Sequence, residues 1–546
     1  MKIAIVGGVA GGASAAARAR RLSEGAEIIV FERGPEPSFA NCGLPYYIGG
    51  EIAERKKLLV APKQLLVDRF RLDVRTLHSV ESIDRTQKRI TVKNLADGAT
   101  YEESYDKLVL SPGASPLRPP ISGVDLPGIY TLRDLRDADR LHEVALRAQR
   151  SVVVGGGFIG LEMVENLVRR GIHTTVVELA DQVLPPWDHE MISPITEHLR
   201  ANKVELVLGD SAVEFVAGEG GLTVRLKSGR ELAADLVVLS VGVRPENSLA
   251  VAAGLDVGPR GGIRVNEHMQ TVDPDIYAVG DAVEVHDFVT GEPIQIPLAG
   301  PANRQGRMAA DHIFGRDSSY RGTQGTAIVG VFGMTAAMTG LSEKSLQRSG
   351  RKYEKVYLHP AHHAGYYPGA ERMSLKLLFD PADGLILGAQ AVGKAGVDKR
   401  IDVLATAIQG RMTVFDLEEA ELAYAPQFGS AKDPINMAGF IAAGVVRGDV
   451  RVVHVLDLEQ FVAAGAKLLD VRTPAEFERG HIPAATNLPV DTLRDHLSEL
   501  DRGQPIIAYC QVGQRGYIAT RILSQAGFNA ANLSGGYTTY CQVQSR

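Results

Sequence analysis

The same phosphate-binding turn occurs twice in this chain, and that repetition limits its fold more than any other feature. Residues 3–6 (IAIV) form a short apolar run that stops at a cluster of Gly7, Gly8, Gly11 and Gly12, and an Ala/Arg-rich helical stretch follows to about Leu22. The next apolar run, EIIVFE, ends at Glu32, twenty residues past Gly12. A buried strand, a glycine turn and a helix aim backbone N–H groups and the helix N-terminus at a pyrophosphate, and the acid closing the second strand takes a ribose hydroxyl. Val9 stands where this pattern has its second glycine. The second copy opens on residues 151–154 (SVVV), carries Gly155, Gly157 and Gly160 in full register, and closes on Glu178, eighteen residues later. An acid at Glu178, with no arginine immediately after it, favours NADH over a 2′-phosphorylated cofactor.

Each copy is followed by a matching stretch. LVLSPGASP (Leu108 to Pro116) contains Pro112 and Gly113, and VVLSVGVRP (Val237 to Pro245) contains Gly242. Both read apolar strand, small residue, glycine, proline, so the chain holds an internal duplication of a nucleotide-binding α/β domain. TVDPDIYAVGDA then runs a strand into Gly280 and Asp281. That piece alone has two readings: a carboxylate aimed at a polyol chain, or an ordinary capped helix start.

Composition sets the outer bounds. A chain of 546 residues with 45% hydrophobic and 23% charged residues is built as several globular domains. A net charge of −6 excludes a nucleic-acid-scale basic field. No apolar run approaches the roughly 18 residues of a membrane span. Lys2, the IAIV run and Ala15–Ala17 mimic a secretory signal, but four apolar residues are too few for a signal core. Three scattered cysteines exclude a disulfide framework and fit a reducing, cytoplasmic setting.

One of those cysteines, Cys42, lies in SFANCGLPYY (Ser38 to Tyr47), just past the first nucleotide unit. The ordinary fate of a cysteine is that of a small buried hydrophobe. Here Gly43 and Pro45 fix a sharp turn, and no second cysteine lies within reach in sequence. A lone thiol beside a two-electron cofactor points to a sulfur shuttle that forms mixed disulfides with small molecules.

GGVAGG with Glu32, GGGFIGLE with Glu178, and YAVGDA together resemble the FAD- and NAD-dependent pyridine nucleotide–disulfide oxidoreductases, over about Met1 to Val446. SFANCGLPYY resembles their single-cysteine branch, because the CxxxxC helix of the paired-cysteine branch is absent. That branch includes CoA-disulfide reductases, NADH oxidases and NADH peroxidases. AHHAGYYPGA (Ala361 to Ala370) and AYAPQFGSAKDPINMAG (Ala423 to Gly439) resemble the first of these, whose paired tyrosines reach into the partner subunit's thiol site. The resemblance implies FAD held at the first glycine turn, Glu32, Arg33, Asn41, Pro112, Gly113, Gly280 and Asp281, with Gly242 the matching glycine of the second half. It implies NADH over Gly155, Gly157, Ile159, Gly160 and Glu178, with Phe158 gating the nicotinamide pocket. Tyr367 and Tyr424 are the implied phenols, with Tyr366 a neighbour at the same site. Ser38 and Asn41 match coenzyme A contacts, and Arg18 and Arg21 on the first helix face a CoA phosphate. Arg69 and Arg71 flank Phe70, where some relatives carry a lysine. His359, His362 and His363 lack helical metal-site spacing and read as loop histidines, so no metal is expected.

The last hundred residues change character. LLDVRTPAEFERGHIPAATNLP (Leu468 to Pro489) and PIIAYCQVGQRGYIAT (Pro505 to Thr520) each end a strand in a loop ahead of a helix. The second delivers Cys510 into a glycine-containing loop, where successive N–H groups and a helix dipole stabilise a thiolate or persulfide, and Arg515 adds a fixed charge. D-V-R, G-H-I-P, C-x-x-G-x-R and SGGY together resemble a rhodanese domain. Gln511 sits where many thiosulfate-using rhodaneses carry a second basic residue, which puts thiosulfate as donor in doubt. Cys541 belongs to no motif.

The fusion as a whole resembles the CoA-disulfide reductase–rhodanese family, also described as NADH-dependent persulfide or polysulfide reductases. The expected fold is α/β: a FAD domain (1–113 with 245–325), an NAD domain (114–244), an α+β dimerisation domain (326–446) and a rhodanese domain (447–546). The expected activity is reduction of CoA persulfide, polysulfide or CoA disulfide through a Cys42–CoA mixed disulfide, in a homodimer with shared sites, with Cys510 delivering sulfane sulfur. Two other readings stand beside it: an NADH oxidase or peroxidase cycling a Cys42 sulfenic acid, and a thiol-redox sensor with a sulfur-carrier domain.

Overall fold

In the computed structural model, which describes residues 1–218 and 220–545, the chain forms two compact units. One comprises Met1–Asp181 and Val204–Gly325, the other Gln182–Lys203 and Thr326–Arg546.

The first unit holds two five-stranded parallel sheets built on one plan. In the first, the spatial order is Ile276–Ala278, Lys107–Leu110, Lys2–Val6, Glu27–Glu32, Asp73–Thr76. In the second it is Glu205–Leu208, His173–Glu178, Arg150–Val154, Leu236–Leu239, Ile129–Tyr130. The strands are near-continuous runs of Ile, Val and Leu, as expected for sheets covered on both faces. In each sheet the strand before the glycine turn is the one at which the order reverses, and a parallel sheet opens its binding crevice there. Gly7 and Gly155 adopt φ of +93° and +107°, and a Cβ at either would overlap the carbonyl oxygen of Ser111 or Ser240 across the crevice. Ser111 and Ser240 are the serines of the two matching stretches, so the duplication is structural. The segments that follow them, Ala114–Pro116 and Val243–Pro245, pair antiparallel with each other.

The second unit carries a five-stranded antiparallel sheet ordered Ala327–Val331, Met334–Gly340, Ile386–Gly393, Met373–Phe379, Glu354–Leu358. Its C-terminal part is a five-stranded parallel sheet ordered Val452–Val453, Ala530–Leu533, Ile506–Tyr509, Lys467–Asp470, Thr486–Asn487. Helix Gly536–Gln544 fastens the two parts through polar contacts. Tyr357 N donates to Ser534 Oγ (3.2 Å), Gln542 Nε2 donates to Ser374 Oγ (2.9 Å), and His359 Nε2 lies 2.8 Å from Thr539 Oγ1.

Residues Gln182–Lys203, placed by sequence in the 114–244 domain, pack with the second unit. The reason is a buried ion cluster: Lys376 Nζ donates to Asp188 Oδ2 (2.8 Å), Glu190 Oε1 (2.6 Å) and Glu343 Oε2 (2.6 Å). Those three carboxylates are the one grouping among the described residues close enough to share a metal, and the Lys376 ammonium already lies among them. His359, in the irregular segment just after strand Glu354–Leu358, is buried, as is His363. Burial, with Arg372 nearby, lowers the pKa of His359 to about 4.

Candidate active site

Cys42 sits in the short helical turn Asn41–Gly43, which runs directly into helix Leu44–Gly49 with Pro45 in its first turn. Ser38, at φ +50°, donates its N–H to Gly8 O (2.8 Å), so the segment is tied back to the first glycine turn. Gly43 is required by space, because a Cβ there would overlap Leu58 Cδ2. The helix after Cys42 is bolted to the second nucleotide half. Tyr46 OH donates to Glu162 Oε1 (3.3 Å), Tyr47 stacks on His142 with centroids 4.8 Å apart, and Arg170 Nε donates to Ile48 O.

Electrostatics around the thiol join three separate motifs. Cys42 is solvent-exposed, yet the protein wall behind it partly desolvates the sulfur and raises its pKa; the Glu162 carboxylate adds to this, and Asp281 adds least. Glu162 belongs to GGGFIGLE and Asp281 to YAVGDA, so both nucleotide signatures act on the one thiol. Burial pushes Glu162 itself up to about 7, and Glu165 adds to that against the Tyr46 hydrogen bond. Burial likewise raises Asp281. Sequence reasoning passed over Glu162, although it lies two residues beyond the last fingerprint glycine.

The two nucleotide turns fit their expected ligands by the same device. Glu32 accepts from Gly8 N (2.8 Å) and Gly34 N (2.7 Å), and Glu178 accepts from Gly156 N (2.6 Å) and Ala180 N (2.9 Å). Each carboxylate ties its turn to its strand end, at the position that takes a ribose. A Cβ at Gly157 would meet nothing within 4 Å, so the chain itself does not require glycine there, whereas a closely approaching pyrophosphate would. Gly113 is as open but has a φ of +75°, which favours glycine. Gly8, Gly11, Gly12 and Gly160 pack tightly under the turns. Phe158 and Ile159 open helix Phe158–Arg169, the first half-buried and the second exposed. Gly242 has a φ of +114°, and Gly280 donates its N–H to Gln305 Oε1 (2.8 Å) beside half-buried Asp281.

The candidate CoA residues divide. Asn41, Arg69 and Arg71 are exposed; Arg33, expected at the FAD, is also exposed, with its guanidinium 3.7 Å from Glu246. Arg21 is exposed and leans over the Phe70 ring. Arg18 is not available in the same way, because its Nε (2.8 Å) and Nη2 (2.5 Å) both donate to Asp311 Oδ1. A phosphate at Arg18 would have to displace that carboxylate.

In the second unit the structure re-pairs the tyrosines. Tyr366 and Tyr424, 76% and 49% exposed, join their hydroxyls at 3.0 Å. Tyr367, expected to be Tyr424's companion, sets its ring edge-on to His363 instead (5.6 Å between centroids). Adjacent residues in an irregular segment point in different directions, and Tyr366 is the one turned to Tyr424.

Cys510, 1% exposed, ends strand Ile506–Tyr509, and helix Gln514–Gln525 begins after Gly513, which has a φ of +96°. Cys510 O accepts from Tyr537 N (2.8 Å). Arg515 hydrogen-bonds Glu476 through both terminal nitrogens, and a charge on Cys510 also favours its cation. Cys541 is exposed and free.

Residues 1–306 match the family model for pyridine nucleotide-disulphide oxidoreductase, and residues 326–433 match that family's dimerisation domain. The chain belongs to the pyridine nucleotide-disulphide oxidoreductases. Residues 455–542 match the rhodanese-like domain, so this oxidoreductase is of the reductase–rhodanese fusion type. A coenzyme A disulfide reductase of Staphylococcus aureus is 37% identical over 444 residues, covering 81% of this chain and 99% of its own. A solved structure of reduced Bacillus anthracis CoADR-RHD is 50% identical with a TM-score of 0.98, covering 99% of this chain and 98% of that one. A NAD-dependent persulfide reductase from A. fulgidus is 36% identical with a TM-score of 0.92, covering 99% and 100%. Among the described residues of this oxidoreductase, no helix is long and apolar enough to cross a membrane.

Proposed function

We propose that this oxidoreductase reduces CoA persulfide, polysulfide and CoA disulfide with NADH, using Cys42 as the thiol that carries the substrate's sulfur. The observation that carries the reading is an exposed lone thiol, Cys42, in a turn tied to the first glycine turn through Ser38 N–Gly8 O (2.8 Å) and to the second nucleotide half through Tyr46 OH–Glu162 Oε1 (3.3 Å). FAD is held at Gly7–Gly12, Glu32 and Asp281, and NADH at Gly155–Gly160 and Glu178. Glu178, already bonded to two backbone N–H groups, offers a ribose an anchor and a 2′-phosphate only repulsion. The bound flavin supplies the two electrons, taken from NADH.

The chain's own residues do the sulfur chemistry. Cys42 thiolate attacks the sulfur bonded to the CoA carbon, the persulfide S–S bond breaks, and hydrosulfide leaves with the electron pair. A Cys42–CoA mixed disulfide remains, and two electrons and a proton then return Cys42 thiolate and release CoA thiol. With CoA disulfide the first leaving group is CoA thiolate. The Tyr366–Tyr424 pair, acting across the dimer, donates a hydrogen bond and a proton to the departing CoA sulfur. Ser38, Asn41, Arg21, Arg69 and Arg71 orient the CoA moiety. Cys510 collects sulfane sulfur and passes it to a thiol carrier. Mass spectrometry after one equivalent of CoA persulfide, without reductant, tests the reading. It should find CoA on the Cys42 peptide and free sulfide in equal amounts, and neither from Cys42→Ser; sulfide without a Cys42 adduct would contradict it.

A further inference from the structure

Two arginines of the Cys510 region, Arg515 and Arg472, are each matched by an acid. Arg515, the second residue of helix Gln514–Gln525, donates through Nη1 to Glu476 Oε2 (2.8 Å) and through Nη2 to Glu476 Oε1 (2.6 Å). Glu476 is itself fixed, since Thr473 N and Oγ1 both donate to its Oε2 at 3.0 Å in a capping box. Arg515 above all, and the Thr473 contacts, hold its carboxyl down to about 2, so it is ionised at every working pH. Arg472 is buried and grips Asp470 through Nε (3.0 Å) and Nη2 (2.7 Å), while its Nη1 donates to Gln511 Oε1 (3.1 Å). The residue after Cys510 is therefore a neutral amide already engaged by an arginine. What remains for an incoming anion is the fractional positive charge of the loop N–H groups and the helix N-terminus.

We propose that Glu476 sets the charge class of the sulfur donor: Cys510 takes sulfane sulfur from singly charged persulfides and discriminates against doubly charged thiosulfate. A singly charged donor is served by the loop amides, whereas the second charge of thiosulfate meets Glu476, whose partner Arg515 is already engaged by it. The inference rests on Cys510 being the sulfur-accepting thiol. In both reactions Cys510 thiolate attacks the terminal sulfane sulfur and becomes a persulfide. From thiosulfate the S–S bond breaks with sulfite as leaving group; from a persulfide RSS⁻ it breaks with thiolate RS⁻ as leaving group. Cyanide then removes the sulfur as thiocyanate and regenerates the thiolate.

The test is thiocyanate formation by the full-length holoenzyme with cyanide, comparing thiosulfate with the persulfide of 2-mercaptoethanol. Wild type, Glu476→Gln and Glu476→Asp are each measured, with mass spectrometry of the Cys510 persulfide. Glutamine keeps an acceptor for the capping box and frees the Arg515 charge. The ratio of kcat/KM for thiosulfate to that for the persulfide should rise about tenfold or more in Glu476→Gln, mainly through a lower thiosulfate KM, as expected for removing one like charge at a partly exposed site. Glu476→Asp should return the ratio toward wild type. An unchanged ratio, an equal loss with both donors, or a wild type that already uses thiosulfate as well as the persulfide would each overturn the proposal. If no donor loads Cys510 in wild type, the sulfur-transfer reading itself falls, and this inference with it.

Discussion

Gly43 shows how little freedom the Cys42 turn has. Its backbone angles are ordinary helical ones, so the requirement for glycine comes from Leu58, whose Cδ2 fills the space a Cβ would need. Gly43→Ala is expected to destabilise the fold by about 1–3 kcal/mol, the usual cost of overpacking, and to slow reaction at Cys42. Adding Leu58→Ala should recover part of both losses in thermal unfolding and turnover; a neutral Gly43→Ala would contradict this account of the turn. Glu162 acts on the same thiol through charge. Removing its carboxylate favours the thiolate, so Glu162→Gln is expected to shift the Cys42 thiolate absorbance midpoint to lower pH in the flavin-free protein. A midpoint that stays or rises would show that Glu162 does not act on Cys42. Cys42 was legible in the sequence because it stands alone behind a glycine turn. Glu162 was hidden inside a motif read for its glycines, and the hydroxyl contact of Tyr366 with Tyr424 depends on a backbone direction that no periodicity encodes.

At the scale of elements, strand, glycine turn and closing acid could be read in both halves, since each marks itself in sequence within about thirty residues. The packing of helix His189–Ala201 with the second unit could not be read because its anchor is remote: Lys376 is 186 residues from Glu190 and 188 from Asp188. Removing that ammonium would leave buried Asp188 and Glu190 without a cation while Glu343 keeps Lys355, the kind of loss that costs about 3–5 kcal/mol. The cluster also gives the second unit an acid limit. Burial pushes Glu343 up, but Lys376 and Lys355 outweigh it and bring its pKa to about 2, below the ordinary 4.5. A carboxyl depressed in this way stabilises the fold fully above pH 4.5 and progressively less as pH falls toward 2. The stability difference between wild type and Glu343→Gln, measured by denaturant unfolding, should therefore be largest near neutrality and shrink below pH 4.5. A difference independent of pH would contradict the ion-pair assignment.

Over the whole molecule, the change of character near residue 451 and the rhodanese-like signatures announced a separate module, but not how it is held. Tyr357, His359 and Ser374 meet Ser534, Thr539 and Gln542 through single hydrogen bonds between residues far apart in sequence, and such contacts leave no local pattern. The dimer gives a sharper expectation. If Tyr366 and Tyr424 serve the partner's thiol, a Cys42→Ser subunit paired with a Tyr366→Phe/Tyr424→Phe subunit contains one complete site. Mixed dimers made by co-expression should then show CoA persulfide reduction well above either parent, whereas activity no greater than the parents' would place the phenols and the thiol in the same subunit or remove the phenols from the chemistry.

The most direct test of Cys42 as the sulfur-carrying thiol is anaerobic stopped-flow oxidation of NADH by the FAD-loaded protein with CoA persulfide and with CoA disulfide, for wild type and Cys42→Ser. The expected result is rapid NADH oxidation with one sulfide released per CoA persulfide, slower turnover with CoA disulfide, and neither reaction in Cys42→Ser. Persulfide turnover that survives Cys42→Ser, or a reduced enzyme that only oxygen or peroxide re-oxidises quickly, would contradict it.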